Sequence, residues 1–151
     1  MPSRFPSSRI SEIVAAPKRS LAGPPRFDRY GERGRKFEGS VEWVDGSFVN
    51  LRVRIAAGVL DDPTTFVAAL ILDGERIRGI DYTPIERRRH FRLAIPKGWH
   101  ENVIDPNLPT NDQGRNRHVT VSDWEVGDLH SFVRLVATRW NIDFCLEETL
   151  L

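Results

Sequence analysis

The chain has 151 residues, of which 40% are hydrophobic and 28% charged, with a net charge of +1 and a single cysteine. This size and composition fit one globular domain, and the lone Cys145 excludes an internal disulfide and a multi-cysteine zinc site. No apolar run approaches the roughly 20 residues that span a bilayer, and the N-terminus lacks the apolar segment of a secretory signal, so we expect a cytoplasmic protein without a membrane partner.

The charge is distributed unevenly along the chain. Residues 1–37 carry a net charge of +6 and residues 85–118 carry +3, whereas residues 38–84 and 119–151 each carry −4. Two basic segments on an otherwise acidic body can steer a polyanion to one face of a protein. The same composition also fits a solvated surface with a basic tail that has no bound partner.

Residues 1–35 form a basic segment that five prolines interrupt. Low hydrophobicity and high positive charge predict a disordered arm, with one helix-like stretch from Ser8 to Ala16. We therefore predict two parts, a basic Pro-rich arm over residues 1–35 and a single α+β domain over residues 36–151. The arm either folds onto RNA or a protein partner, or is a dispensable extension.

Four stretches of the next segment have the residue patterns of β-strands, and they run over residues 37–44, 48–56, 64–72 and 77–82. The second stretch alternates apolar and polar residues, which is typical of a half-buried strand. Asp45-Gly46 and Asp73-Gly74 are strong hairpin turns. We predict an antiparallel meander of four strands, to which residues 118–121 add a fifth, with a last short strand at Ile142 and Phe144.

An amphipathic helix is predicted over residues 123–140. Ser122 and Glu125 fit the S-x-x-E capping box, and apolar residues follow at helical spacing, namely Val126, Leu129, Val133, Val136 and Trp140. The predicted fold class is therefore α+β: an antiparallel meander sheet of four to five strands, one long C-terminal helix packed on it, and a disordered basic N-terminal arm.

Residues 85–118 form a long basic loop between the predicted sheet and helix. The loop has little periodicity, and long insertions with this much titratable chemistry are commonly functional. We predict that its seven basic residues bind nucleic acid: Arg87, Arg88, Arg89, Arg92, Lys97, Arg115 and Arg117. Trp99 either stacks on a base with them or packs the loop into the core.

The loop also contains three of the four histidines. Metal-free RNA cleavage needs a base for the 2′-OH proton, an acid for the leaving oxygen and a cation for the phosphorane. Histidine serves as acid or base near neutrality, and arginine holds phosphate as a permanent cation. We predict that His100 and His118 share the acid and base roles, with His90 and Tyr82 as further catalytic candidates. The alternative is that these histidines are structural and satisfied by the backbone.

The spacing of the loop histidines argues against a metal site. They are separated by ten and eighteen residues, which matches no compact metal motif. The chain also lacks a P-loop, a G-x-G-x-x-G turn, a G-x-S-x-G elbow and an H-E-x-x-H helix. We therefore predict neither a metal nor a cofactor.

Residues 65–137 resemble the TumE-type toxins of bacterial toxin–antitoxin systems. The likeness is carried by Asp73-Gly74-Glu75-Arg76-Ile77, Gly79-Ile80-Asp81-Tyr82, His100, Arg117-His118 and the stretch from Leu129 to Val136. Those toxins are compact α/β proteins with a histidine- and arginine-rich loop before a C-terminal helix. The resemblance implies a growth-inhibiting toxin that a protein partner, the antitoxin, neutralises.

The composition of the basic loop, together with this resemblance, predicts a small toxin-like protein that acts on RNA as a metal-independent ribonuclease. The alternative is a non-enzymatic module of a defence or ribonucleoprotein complex, which binds nucleic acid or protein through the basic arm and loop. A third hypothesis is a protein partner alone, contacted through apolar surfaces at Trp43, Phe48 and Trp140.

Overall fold

The computed structural model describes residues 5–43, 50–84, 87–88, 94–95, 97–104 and 117–146, with the backbone alone at 87–88, 94–95, 104 and 117–121. The helices are α1 (Ser7–Ala15) and α2 (Leu129–Trp140), and neither described helix is long and apolar enough to cross a membrane. The strands are β1 (Lys18–Ser20), β2 (Asp28–Tyr30), β3 (Gly34–Trp43), β4 (Leu51–Ala57), β5 (Phe66–Leu72), β6 (Glu75–Thr83), β7 (Arg87–Arg88), β8 (Ala94–Ile95), β9 (Gly98–Ile104), β10 (Arg117–Ser122) and β11 (Ile142–Asp143).

Within this described part, nine strands form one strongly curled, mixed sheet. Its strand order is β10-β9-β6-β5-β4-β3-β1-β11, and β2 pairs with the beginning of β3. Neighbouring strands are antiparallel except β1 and β11, which run parallel. The short strands β7 and β8 form a separate ladder inside the connection from β6 to β9.

The strongest local patterns of the sequence are confirmed. In β4 the side chains of Leu51, Val53 and Ile55 are fully buried, while the arginines between them lie on the other side of the sheet. Asp73 and Gly74 join β5 to β6 with φ angles of 49° and 80°, as a two-residue hairpin requires. The predicted Asp45-Gly46 hairpin lies outside the described residues.

Helix α2 packs on one face of this sheet. The ring of Phe132 lies 5.6 Å from that of Phe66 in β5 and 5.5 Å from that of Trp99 in β9. We call the sheet face that carries Phe66 and Trp99 the core face, and the opposite face, which carries Ala69 and Asp81, the outer face. The two faces have different chemistry, because the core face is apolar around α2 and the outer face is polar.

The predicted meander of four to five strands is wrong. The predicted basic loop of residues 85–118 contains β9, which lies inside the sheet between β6 and β10. In β9, Trp99 and Glu101 lie on the core face and His100 and Asn102 on the outer face, and all four are buried. Buried polar residues on both faces leave no apolar–polar alternation, so the usual strand pattern was missing.

The predicted disordered arm is also wrong for residues 5–35. Helix α1 buries Ile10, Ile13 and Val14 in the core, and β1 pairs with both β3 and β11. The Lys18 ammonium group donates three hydrogen bonds of 2.6–2.9 Å to carbonyl groups at the end of α1. Proline and charge disfavour local structure, but burial against the sheet outweighs them here. The predicted boundary at residue 36 falls inside β3.

The predicted long C-terminal helix is shorter in the structure. It ends where the spacing predicts but begins at Leu129, because Asp128 has an extended backbone and caps the helix there. Asp128 and Ser131 form the capping box instead of the predicted S-x-x-E sequence. The Ser131 N–H donates to Asp128 Oδ1 at 2.8 Å, and the Asp128 N–H donates to Ser131 Oγ at 3.1 Å.

We expect Asp128→Ala to lower the free energy of unfolding by about 1 kcal/mol, because the first turn of α2 loses its cap. The hydrogen bonds from Ser131 lower the pKa of Asp128. The cap therefore stabilises the fold above the ordinary pKa of the carboxyl, and this contribution is lost as pH falls through the lowered pKa. Urea unfolding should show this loss in Asp128→Ala and not in Asp123→Ala, an exposed position outside the helix; equal losses would contradict the capping role.

Candidate functional site

Asp81 of β6 and His100 of β9 lie directly opposite each other on the outer face. The His100 Nε2 atom contacts Asp81 Oδ1. The Nδ1 atom of His100 lies 3.5 Å from Thr83 Oγ1 and 3.4 Å from the carbonyl oxygen of Gly98. The imidazole side chain is only 3% exposed and the Asp81 side chain 40% exposed, so the carboxylate is the member of this pair that a ligand can reach.

The surroundings of Asp81 keep its carboxylate ionised. Burial raises the pKa of Asp81, but the hydrogen bond and charge of His100, the Asn102 amide and the Arg76 charge together outweigh it and lower the pKa below its ordinary value. The Asn102 Nδ2 atom donates to Asp81 Oδ1 at 3.4 Å. An ionised carboxylate is purely a hydrogen-bond acceptor, so Asp81 suits a ligand that presents a hydroxyl or N–H donor.

Beside Asp81 the outer face has a depression of about 160 Å³, which we call the notch. Its floor is formed by two small residues, Ala69 and Gly79, which are register partners on β5 and β6. Its polar lining consists of Arg54, Arg76, Asp81 and Asn102. Two guanidinium groups against one carboxylate make this lining net positive.

Tyr82 and Trp99 lie on the core face, on the other side of the sheet from His100. Their rings meet edge to face with centroids 5.3 Å apart, and Trp99 is only 7% exposed. Of the two roles left open for Trp99, the structure shows packing into the core. Its ring presents no exposed face on which a base could stack, and Tyr82 is not brought to His100.

His118 lies in β10, where the backbone register pairs it with Val103 and pairs Val121 with His100. Three residues of extended chain separate His118 from Val121, which is about 10 Å. Positions that are three residues apart belong to opposite faces of a sheet. The register therefore does not bring the two predicted catalytic histidines to a common position on the backbone, and the side chain of His118 lies outside the described part.

The other predicted binding residues lie at both ends of β9. Lys97 is exposed just before this strand, whereas Arg117 begins β10 and pairs with Ile104 at the end of β9. Arg87 and Arg88 lie in β7, within the connection that joins Thr83 to Gly98. That connection closes the β6–β9 ladder two residues beyond the Asp81–His100 pair. Four predicted residues fall outside the described part of the chain: Arg89, His90, Arg92 and Arg115.

A buried ion cluster lies on the core face next to His100. Glu101 is 2% exposed, and its Oε2 atom accepts hydrogen bonds from Arg78 at 2.9 Å and from the Trp140 indole at 3.2 Å. Its Oε1 atom accepts two bonds from Arg139, at 2.8 and 2.9 Å. The cluster joins β6, β9 and α2, and it fixes the strand that carries His100.

Sequence reasoning missed Arg54, Arg76 and Asn102 as site residues, and it included Asp81 only within the resemblance to the TumE-type toxins. Two signals were present: the alternation of β4 places Arg54 on the polar side of that strand, and a glycine inside a strand, here Gly79, often marks a bulge or the close approach of another group. No sequence signal indicated Asn102, because its role depends on its neighbours across the sheet.

The structure also bears on the metal and interface hypotheses. In the described part of the chain, no three His, Cys, Asp or Glu residues form a group that could hold a metal ion. Trp140 is fully buried, and Trp43 is partly covered by the Arg9 guanidinium at 5.4 Å, while Phe48 lies outside the described residues.

No protein-family model, curated protein or solved structure matches this chain.

Proposed function

We propose that this is a toxin-like protein that binds RNA on the outer face of its sheet and cleaves it without a metal. One juxtaposition supports the proposal: the partly exposed carboxylate of Asp81, held by the buried His100, lies beside two arginines near the basic connection of residues 84–97. RNA offers such a site both a phosphate for the arginines and a 2′-OH donor for the carboxylate.

The proposed reaction is transfer of the phosphate to the neighbouring 2′-oxygen. Asp81 accepts the 2′-OH proton, the 2′-oxygen attacks phosphorus, and the bond from phosphorus to the 5′-oxygen breaks. The products are a 2′,3′-cyclic phosphate and a 5′-hydroxyl. His100 is a positioning residue, because it is buried and acts through Asp81. The departing 5′-oxygen takes its proton from water, because the register places position 118 on the opposite sheet face from His100. Protonation of this oxygen by His90 stays a prediction, as does neutralisation by an antitoxin.

Cleavage of a 5′-fluorescent single-stranded RNA in EDTA tests the proposal. We expect the wild-type chain to cleave RNA and not the matching DNA, which lacks the 2′-OH. The Asp81→Asn variant should be about 100-fold slower or worse, because an amide cannot accept the proton. The matched control is Asp61→Asn, whose side chain is 83% exposed and pairs with Arg33. Equal rates for wild type and Asp81→Asn would remove Asp81 from the reaction.

A non-enzymatic RNA-binding module is the second candidate, and the burial of His100 favours it. Both ring nitrogens of this residue face protein atoms, so it exchanges no proton directly with a ligand. This candidate predicts binding that weakens with salt, through release of counterions from the RNA, and no turnover. Fluorescence anisotropy of the same RNA over a salt series separates the two functions: salt-dependent binding without cleavage would support the module.

A further inference from the structure

We propose that the notch is a phosphate subsite in which Arg54 and Arg76 hold one phosphate group of a ribonucleotide. This inference deepens the proposed function and rests on it, since it assigns the group that the outer face recognises. The binding residues predicted from the sequence are different ones, and all of them belong to the basic loop of residues 85–118. At the notch, four strands leave a gap between long polar side chains.

A single row of register partners crosses four strands at the notch. Arg54 of β4 pairs with Ala69 of β5, Ala69 with Gly79 of β6, and Gly79 with Asn102 of β9. Neighbouring strands lie about 4.8 Å apart, so the two polar ends of the row are about 14 Å apart across the backbone. The small residues between them leave the space that a phosphate group needs.

A β-bulge brings the second arginine to the same face. The register shift between Leu70 and Ile71 pairs these two residues with Arg78 and Arg76, so β6 carries Ile77 as an extra residue. In a regular strand Arg76 would lie on the opposite face from Gly79, three residues on. The bulge instead turns Arg76 into the notch lining. Bulges commonly redirect a side chain in this way beside functional sites.

Neither Arg54 nor Arg76 forms an ion pair among the residues that the structure describes. Arg52, two residues from Arg54 on the same face, differs because it pairs with Glu38 at 2.9 Å. Among the described residues, the Arg54 Nε atom is buried without a hydrogen-bond partner, so no protein acceptor holds this guanidinium in place. Planar guanidinium groups match the oxygens of a phosphate.

Asp81 decides which phosphate compound fits. A bare anion would face the carboxylate and be repelled, whereas a phosphate with a neighbouring hydroxyl can donate a hydrogen bond to it. The 2′-OH of a ribonucleoside 3′-phosphate stands in that relation to the phosphate. The notch should therefore bind uridine 3′-monophosphate more tightly than thymidine 3′-monophosphate, which lacks the 2′-OH.

Calorimetric titration of the full chain with these two mononucleotides tests the subsite. We expect Arg54→Gln and Arg76→Gln each to weaken uridine 3′-monophosphate binding roughly tenfold or more, because each removes a charge-assisted hydrogen bond. Gly79→Ala should weaken binding as well, since its methyl group narrows the notch while both arginines stay. A Cβ atom at Gly79 meets no atom closer than 3.4 Å, so we expect this variant to fold, which circular dichroism checks.

Arg19→Gln is the matched control, because Arg19 is already paired with Glu42 at 2.7 Å and does not line the notch. Equal affinity for the two nucleotides, or an equal loss in Arg19→Gln and Arg54→Gln, would overturn the proposal. A labelled RNA oligonucleotide shows whether the phosphate comes from a free nucleotide or from the polymer. If only the polymer binds, and Arg54→Gln and Arg76→Gln weaken that binding, the subsite is supported.

The same series separates failure of the subsite from failure of the proposed function. RNA binding and cleavage that remain at wild-type levels in Arg54→Gln and Arg76→Gln would refute the subsite and leave the proposed function intact. Uridine 3′-monophosphate binding that depends on both arginines, in a chain that neither binds nor cleaves RNA, would refute the proposed function and leave the subsite intact.

Discussion

Replacing Glu101 by alanine should lower the free energy of unfolding by about 3–5 kcal/mol. The carboxylate is buried and accepts hydrogen bonds from Arg78, Arg139 and Trp140. Removing it leaves Arg78, which is 15% exposed, without its counter-charge in the protein interior. The indole N–H of Trp140 also loses its acceptor. The loss of stability comes from buried hydrogen-bond donors that no longer have an acceptor, rather than from the loss of the ion pairs themselves.

Urea unfolding followed by tryptophan fluorescence measures this effect. Glu101→Gln should be destabilised less than Glu101→Ala, because the amide keeps the side-chain volume and one acceptor oxygen. Glu38→Ala is the control, since its ion pair with Arg52 is exposed and worth at most about 1 kcal/mol. A loss below that figure in Glu101→Ala would mean that the cluster does not hold α2 against β6 and β9.

The wild-type protein should become more stable as pH rises from about 8 to 10.5, and Lys18 is the expected cause. Lys18 is 1% exposed, and burial lowers the pKa of its ammonium group from 10.5 to about 8. Below pH 8 both the folded and unfolded states carry the charge, and the folded state bears the cost of burying it. Between the two pKa values the unfolded state binds more protons, so the free energy of unfolding rises with pH, by up to about 3 kcal/mol.

Lys18→Met tests this linkage. Methionine has a similar length but no titratable group, so the part of the rise that depends on Lys18 should disappear between pH 8 and 10.5. Lys36→Met, whose parent side chain lies over the Tyr30 ring at 5.5 Å, should keep the wild-type rise. Parallel pH profiles for wild type and Lys18→Met would show that the buried amine keeps its ordinary pKa, held protonated by the three carbonyl groups at the end of α1.

The Glu101 prediction concerns the support of the candidate site. Glu101 and His100 are neighbours in β9 and point to opposite faces of the sheet, so the ion cluster on the core face fixes the strand from which His100 reaches Asp81. A loosened β9 should therefore impair the outer face as well. We expect Glu101→Gln to reduce RNA cleavage even under conditions in which the variant remains folded.

Several features of the fold could be predicted because their causes are local. The alternation in β4, the Asp73-Gly74 turn and the apolar stripe of α2 each depend on residues within a few positions of one another. For the same reason the sequence identified His100 as a residue of interest and the histidine-containing segment as chemically unusual. It did not indicate which residue His100 contacts.

The remaining features depend on residues that are far apart in the chain. β9 can be a buried strand because Arg78 and Arg139 form ion pairs with Glu101. A pattern based on hydrophobicity could not predict this strand, because several of its buried residues are polar. The pairing of Asp81 with His100 and the convergence of Arg54 with Arg76 follow from strand order and one bulge.

The sequence by itself determined the local elements of this protein: a two-residue turn, an alternating strand and a helix with one apolar face. Only the tertiary structure decided that residues 5–35 of the basic N-terminal segment are ordered, because α1 is stabilised by burial against the sheet and by the contacts of Lys18. The tertiary structure alone also decided where the outer-face site lies. The physical reason is that a charged residue stabilises or destabilises the fold depending on which residues lie next to it in space. Those neighbours are set by the register between distant strands.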